Sequence, residues 1–506
     1  MSERVHIAID VGASSGRVMQ VRIGGGPPVI EEVHRFDNQP IRLGPDAGDR
    51  WSWALDALVR EVTDGLGRVE ATVDSIGIDT WGCDYGLVDA TGALVAPITA
   101  YRDDRHHAAF ESVRERLGEA HLYTATGTQF QPFNTLYQLA TDAAAPDRPL
   151  ERADRLLMIP DLLANRLCGS TCCERTNAST TQCFDSDADR WHEDLLRSVG
   201  VPPDLMPSVV AGASPEPLGL LRPEISAATG LPGSVPLLAT ATHDTASAVA
   251  AAPLRSKTDA YISSGTWSLV GVELDQVLAS DAARRCNFTN EAGVFGTTRF
   301  LRNVSGLWLL QQCQSTWRAA GRDLDWSALV AAAEQSPAFE SIIDPDHPDL
   351  AAPGDMPERL RARCRLTGEP VPADDAAIVR CIIDSLALRY AACLEELEGV
   401  TGRVIERLVV VGGGSRNGLL NRLTSEVTGR PVVVGSAEAT ALGNALVQHA
   451  ALEGMRSIDE LRTLVKAEHH LEPAGDTLDR ERIDAARSRF RRITATIVQP
   501  LPEETQ

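Results

Sequence analysis

Long hydrophobic runs are missing from the 506 residues. No stretch approaches the roughly 18 uninterrupted apolar residues that a membrane span requires. The opening, Met-Ser-Glu-Arg-Val-His-Ile-Ala-Ile-Asp10, lacks the apolar centre of a secretory signal. A soluble, cytoplasmic chain with no membrane partner is the expectation. Lysine is nearly absent, represented by Lys257 and Lys466 alone. P-loop enzymes set a lysine on the phosphates after G-x-x-x-x-G, and protein kinases use a strand lysine. Neither lysine stands in such a setting, which disfavours both architectures. Positive charge is scarce overall, with 48 Lys plus Arg against 70 Asp plus Glu and a net charge of −22. That field repels a nucleic-acid backbone, so no nucleic-acid partner is expected. Phosphate is not excluded, because backbone N–H groups and a metal ion hold it locally. The ten cysteines include no C-x-x-C pair, and Cys168, Cys172 and Cys173 have no histidine nearby. Buried thiols are a better reading than a metal site or a disulfide framework.

The length and the 43% hydrophobic content exceed what one compact domain uses. His6 to Asp10 is apolar and β-branched, Gly12-Ala-Ser-Ser-Gly16 is a turn, and Val18 to Ile23 returns: a hairpin. Ala260-Tyr-Ile, Ser263-Ser-Gly-Thr266 and Trp267 to Val272 repeat that pattern. After the first hairpin, Leu55, Leu58, Val59, Val62 and Leu66 recur at helical spacing, followed by the strand Ser75-Ile-Gly-Ile78. After the second, Ile378, Ile382, Leu386, Cys393 and Leu397 mark a helix, followed by Leu408-Val-Val-Val411 and Gly412-Gly-Gly414. Matched elements in both halves predict two α/β domains of like design facing each other across a cleft, over 1–247 and 248–506. The Pro-rich stretches 202–217 and 352–370 read as loops, and 500–506 as a frayed end.

Asp10 ends a strand and is followed by Gly12, Ser14, Ser15 and Gly16, which suits a metal-bound nucleotide as well as a plain hairpin turn. Ser264-Gly265-Thr266 is a second small-residue turn at the matching point, able to form the other half of a phosphate clamp. Asp244, in Thr242-His243-Asp244-Thr245, sits at a strand-to-helix corner. There it suits a base for an attacking hydroxyl or an ordinary helix N-cap, and His243 beside it suits either a site or the core. Gly412-Gly-Gly414 suggests close approach to a flat ligand, but G-x-G-x-x-G needs glycine at 417, where Asn417 stands. A dehydrogenase is disfavoured accordingly.

In this order, Asp10-x-Gly-x-Ser-Ser, Thr-His-Asp-Thr, Ser-Gly-Thr and Val-Gly-Gly-Gly resemble the FGGY family of carbohydrate kinases. So do Ile78-Asp-Thr-Trp-Gly82, Tyr101-Arg-Asp103, Pro132-Phe-Asn-Thr-Leu-Tyr-Gln138 and Gly306-Leu-Trp-Leu-Leu-Gln311. The likeness runs to about residue 450. It implies two actin-like, ribonuclease-H-like domains flanking a catalytic cleft, and transfer of the ATP γ-phosphate, with Mg²⁺, to the 1-hydroxyl of L-rhamnulose. By that resemblance Ala13, Ser14, Ser15, Gly16 and Arg17 hold ATP phosphates, and Thr266, Gln311 and Gly413 line the nucleotide. Gly82, His243, Asp244, Thr245 and Asn303 match sugar positions, Asp244 is the proton acceptor, and Asp10 organises the hydrated Mg²⁺. Thr242, Cys83 and Ser415-Arg416 depart from the family pattern, and Cys83 lies beside the sugar loop. Cys364 and Cys381 match positions that can pair in relatives, although free thiols are expected here. Another ketose or polyol (fuculose, xylulose, glycerol), a non-catalytic actin-like ATP-binding module, and a monomer or homodimer all remain open.

Overall fold

The computed structural model describes residues 3–44, 49–473 and 480–495. The expectation for 500–506 lies outside them. In chain order the elements that matter here begin with β1 (Arg4–Val11), β2 (Ser15–Ile23), β3 (Val29–Asp37), α1 (Leu55–Leu66) and β4 (Ser75–Thr80). Next come β5 (Gly219–Leu220), β6 (Pro236–Leu237), α2 (Asp244–Ala250), β7 (Asp259–Ser264), β8 (Trp267–Leu274), β9 (Thr289–Ala292) and β10 (Thr298–Ser305). The series ends with α3 (Trp308–Ala319), α4 (Met356–Thr367), α5 (Asp375–Thr401), β11 (Arg407–Val411), α6 (Gly418–Thr428), β12 (Val432–Val434), α7 (Ala439–Glu453) and β13 (His469–Leu471).

The chain divides into two compact units. Unit 1 comprises residues 1–253, 273–301 and 438–466, and unit 2 comprises 254–272, 302–437 and 467–506. Both are α/β. Unit 1 is built on a six-stranded sheet in the order β5-β6-β4-β1-β2-β3. The β1–β2 hairpin is antiparallel and β4 runs parallel to β1. Ile7, Ile9, Val11, Ile76 and Ile78 pack with Leu55, Leu58, Val62 and Leu66 of α1, the apolar face that their spacing predicts. On the other side, α7 packs against β1, β4 and α2. It is buried on every face, so its Ala, Leu and Gly residues show little amphipathic period.

Unit 2 repeats the plan: β7 and β8 form the antiparallel hairpin, and β11 runs parallel to β7. Its strands follow the order β10-β8-β7-β11-β12-β13. Residues 298–301 of β10 pair with β9 within unit 1.

One expectation is corrected. The stretch 352–370 contains helix α4, which begins with Pro357 in its first turn and has the Asp355 side chain accepting from Glu358 N–H. Proline breaks helix interiors, but in the first turn its missing N–H would have had no helical partner anyway.

Candidate active site

In unit 1 the charged groups gather at the carboxyl ends of β1 and β4. Asp10, one residue from the end of β1, has Arg17 as its register partner on β2 and Asp79 as its partner on β4. Paired positions on adjacent strands share a face, so these three side chains stand together. Arg17 Nη2 donates to Asp10 Oδ2 at 2.5 Å, and Nη1 donates to Glu438, which precedes α7. Asp79 is fully buried; its Oδ2 accepts from Asn444 Nδ2 of α7 at 2.6 Å. Its Oδ1 has no hydrogen-bond partner among the described residues. Burial, then the charges of Asp10 and Asp244, push the Asp79 carboxyl well above its ordinary value. Burial also raises Asp10, against the opposing charge of Arg17.

The turn after β1 is closed by Gly12 N–H donating to Ser15 O at 2.9 Å, and Asn38 Nδ2 donates to Gly12 O at 2.8 Å. Ala13 and Ser15 are half-buried and Ser14 is exposed. Gly16 is required sterically, because a Cβ there would lie 2.1 Å from the Phe36 ring.

The 240–245 segment joins this corner through Thr80 N–H, which donates to Thr242 O at 2.8 Å. Asp244 is the first residue of α2, with His243 as the N-cap, whose side chain makes no cap hydrogen bond. It keeps 31% of its side chain exposed, and its Oδ1 accepts from Thr245 N–H at 2.5 Å. Buried Glu174 holds the segment from behind, its Oε2 accepting from Thr242 N–H at 3.0 Å and from Thr176 N–H at 3.0 Å. His243 Nε2 lies 3.5 Å from Asp244 Oδ1, and Nδ1 accepts from Arg299 Nη2 at 3.1 Å. Gly82 packs under Thr180, whose Oγ1 would be 2.8 Å from an added Cβ. The next residue, Cys83, adopts φ of +74°, uncommon for any residue but glycine. It is held there by Cys83 N–H to Thr180 Oγ1 at 3.2 Å and by Thr135 Oγ1 to Cys83 O at 2.7 Å.

In unit 2, the turn Ser264-Gly265-Thr266 is covered by the start of α3 and the residue before it. Leu307 N–H donates to Gly265 O at 2.9 Å and Trp308 N–H to Thr266 O at 3.2 Å. Gln311 follows one turn into α3, and Asn303 lies on β10. Gly412, at φ +83°, and Gly414 pack on Ser264, with Cβ positions that would fall 2.9 Å from its O and 1.9 Å from its Oγ. Gly413 between them faces open space. Asn417, where a dinucleotide motif wants glycine, is instead the N-cap of α6, accepting from Leu420 N–H at 3.0 Å.

Asp10, Arg17, His243, Asp244 and Thr245 are thus brought to one corner of unit 1, with Gly82 on the loop after β4, while Thr266, Gln311 and Gly413 surround the β7–β8 turn of unit 2. Glu174, Glu291, Arg299, Glu438 and Asn444 had no signal in the sequence. Asp79 did, inside Ile78-Asp-Thr-Trp-Gly82, but a strand residue paired with Asp10 emerges only with the register. Cys364 and Cys381 are free thiols, and their hydrogen bond, then burial, pushes Cys381 well up.

The repeated hairpin-plus-parallel-strand plan is that of an actin-like, ribonuclease-H-like α/β protein. The family model for the FGGY family of carbohydrate kinases matches with its N-terminal domain over residues 5–251 and its C-terminal domain over 260–452. The chain is 41% identical to the rhamnulokinase of Bacteroides thetaiotaomicron, over 90% of its own length and 93% of the relative's. It is 42% identical to the rhamnulokinase of Pectobacterium carotovorum, with coverages of 91% and 90%. Among solved structures, Plasmodium falciparum glycerol kinase with ADP superposes at a TM-score of 0.77 with 16% identity, over 98% of this chain and 99% of that one. The chain belongs to the FGGY family of carbohydrate kinases. It is therefore a sugar kinase, with ATP and a sugar as substrates. Among the described residues no helix is long and apolar enough to cross a membrane.

Proposed function

We propose that this enzyme transfers the γ-phosphoryl group of ATP to the 1-hydroxyl of L-rhamnulose, releasing ADP and L-rhamnulose 1-phosphate. The identity to curated rhamnulokinases over nine-tenths of the chain carries the choice of sugar. Transfer proceeds through a loose transition state, so the protein's task is alignment and charge neutralisation. Asp244, partly exposed beside His243, takes the hydroxyl proton as the new O–P bond forms and the bond to ADP breaks. Gly82, His243, Thr245 and Asn303 orient the sugar. Ala13, Ser14, Ser15, Gly16 and Arg17 hold the phosphates, and Thr266, Gln311 and Gly413 hold the rest of the nucleotide.

Mg²⁺ fits the donors present. It keeps several waters and binds through one or two carboxylates together with substrate phosphates. Asp10 and Asp79 are adjacent and buried, and Asp79 Oδ1 lacks a partner among the described residues. These two residues would hold the ion, which when bound neutralises phosphate charge. A cytoplasmic location, where ATP is available, is part of this proposal.

The test is ADP release from wild type and Asp244→Asn with Mg-ATP and a ketose panel. Release from wild type with L-rhamnulose, and a loss of about 10²-fold or more in the variant, supports the reading. Preference for another ketose moves the substrate and keeps the mechanism; undiminished turnover in the variant removes Asp244 as base.

A further inference from the structure

Arg299 is fully buried in a chain of net charge −22, and Glu291 faces it in register across the β9–β10 hairpin. Burying a guanidinium is costly unless it is paired and hydrogen-bonded. Arg299 Nε donates to Ala292 O at 3.0 Å, and Nη2 lies 3.1 Å from Glu291 Oε2 and donates to His243 Nδ1 at 3.1 Å; the same Glu291 oxygen lies 3.4 Å from His243 Nδ1 but makes no hydrogen bond among the described residues. Burial would raise the Glu291 carboxyl, but the opposing charge of Arg299 outweighs burial and holds it below its ordinary value. The hairpin is anchored to the scaffold that holds the His243 backbone. Ala292 N–H donates to Ser179 Oγ at 2.9 Å, Ser179 Oγ donates to Thr176 O at 2.8 Å, and His243 N–H donates to Thr176 Oγ1 at 3.1 Å.

An arginine only donates. A histidine nitrogen that receives its N–H therefore carries a lone pair, and the ring proton is on the other nitrogen. We propose that Arg299 and Glu291 are positioning residues that fix His243 as the Nε2–H tautomer. They present that N–H as a donor on the side of Asp244. Glu291 holds the guanidinium, the guanidinium holds Nδ1, and Nε2, 3.5 Å from Asp244 Oδ1, is left to donate to the carboxylate or to a sugar oxygen beside it. His243 then cannot take the hydroxyl proton at Nε2, and Asp244 is the acceptor for that reason as well as by position. This inference rests on the sugar-kinase reading only for its kinetic consequence; the tautomer is a property of the unliganded protein.

Two measurements test it. In the full-length protein labelled with ¹⁵N-histidine, a long-range ¹H–¹⁵N spectrum, assigned by the signals lost in His243→Gln, should show a protonated Nε2 and a bare Nδ1 for His243. Arg299→Met should lose that single tautomer. A proton on Nδ1 in wild type, or an unchanged tautomer in Arg299→Met, overturns the proposal. In kinetics, Arg299→Met and the near-isosteric Glu291→Gln should raise the ketose KM by about tenfold, the worth of one positioned hydrogen bond, and leave the ATP KM within about twofold. Arg299→Lys, which keeps a donor, should recover part of the loss. In a His243→Gln background the same changes should add little. Full additivity would mean that the pair is merely structural. If wild type phosphorylates no ketose, the functional reading fails while the spectrum still decides the tautomer.

Discussion

Asp10 and Asp79 are register partners on the parallel strands β1 and β4, so two buried carboxylates stand side by side. Like charges so placed are held by what surrounds them. Arg17 faces Asp10 from β2, and Asn444 reaches Asp79 from α7, with Gln448 one turn on donating to Asn444 Oδ1 at 2.7 Å and to Ile7 O at 3.0 Å. Helix α7, last in the sequence of unit 1's main elements, therefore braces the first strands of the chain.

Asp79→Asn should keep the Asn444 contact and lose the charge. Calorimetric binding of ADP is expected to lose about tenfold or more of its Mg²⁺-dependent enhancement, with metal-free ADP binding unchanged. An intact enhancement would leave Asp10 as the only carboxylate for the ion.

Gly443→Ala should disturb the site from a distance. A Cβ at 443 would lie 1.8 Å from Ser247 O of α2, the helix that begins with Asp244. Overpacking of this kind costs about 1–3 kcal/mol. The expected result is a lower unfolding midpoint in urea together with a reduced kcat/KM for the sugar.

Asp84 accepts from Trp53 Nε1 at 2.6 Å, Trp81 Nε1 at 3.0 Å, Tyr101 N–H at 3.1 Å and Gln138 Nε2 at 3.0 Å. Burial pushes it up to about 6 against these donors. Asn in its place sets an amide N–H₂ against either the two indoles and the Tyr101 N–H or the Gln138 Nε2 donor, so Asp84→Asn should destabilise by about 1–3 kcal/mol. Because Asp84 adjoins Gly82 and Cys83, the ketose KM should rise more than the ATP KM.

Asp161 supplies a pH dependence. Burial pushes its carboxyl from 3.8 up to about 8, so the native state keeps a proton that the unfolded chain releases. The associated stability is fully present below about pH 3.8 and is lost as pH rises through about 8. Asp161→Asn removes the penalty, and its melting temperature relative to wild type should climb steadily from pH 5 to pH 8. A constant difference would mean that Asp161 is ionised in the native protein.

Local chemistry made much of this protein legible from residues alone. Both hairpins, α1, β4, α5, β11 and the glycine turns follow from apolar period and turn residues, which act over a few positions, and they lie where those signals put them. Helix α4 was obscured because Pro357 reads as a breaker until its place in the first turn is known. The groups around the site belong to another scale. Asn444 meets Asp79 across 365 residues, Glu438 meets Arg17 across 421, and Arg299 meets His243 across 56. No propensity or spacing encodes such contacts. They arise because the strands bury their apolar faces under distant helices, and each polar group carried inward then needs a partner that only the folded chain can bring to it.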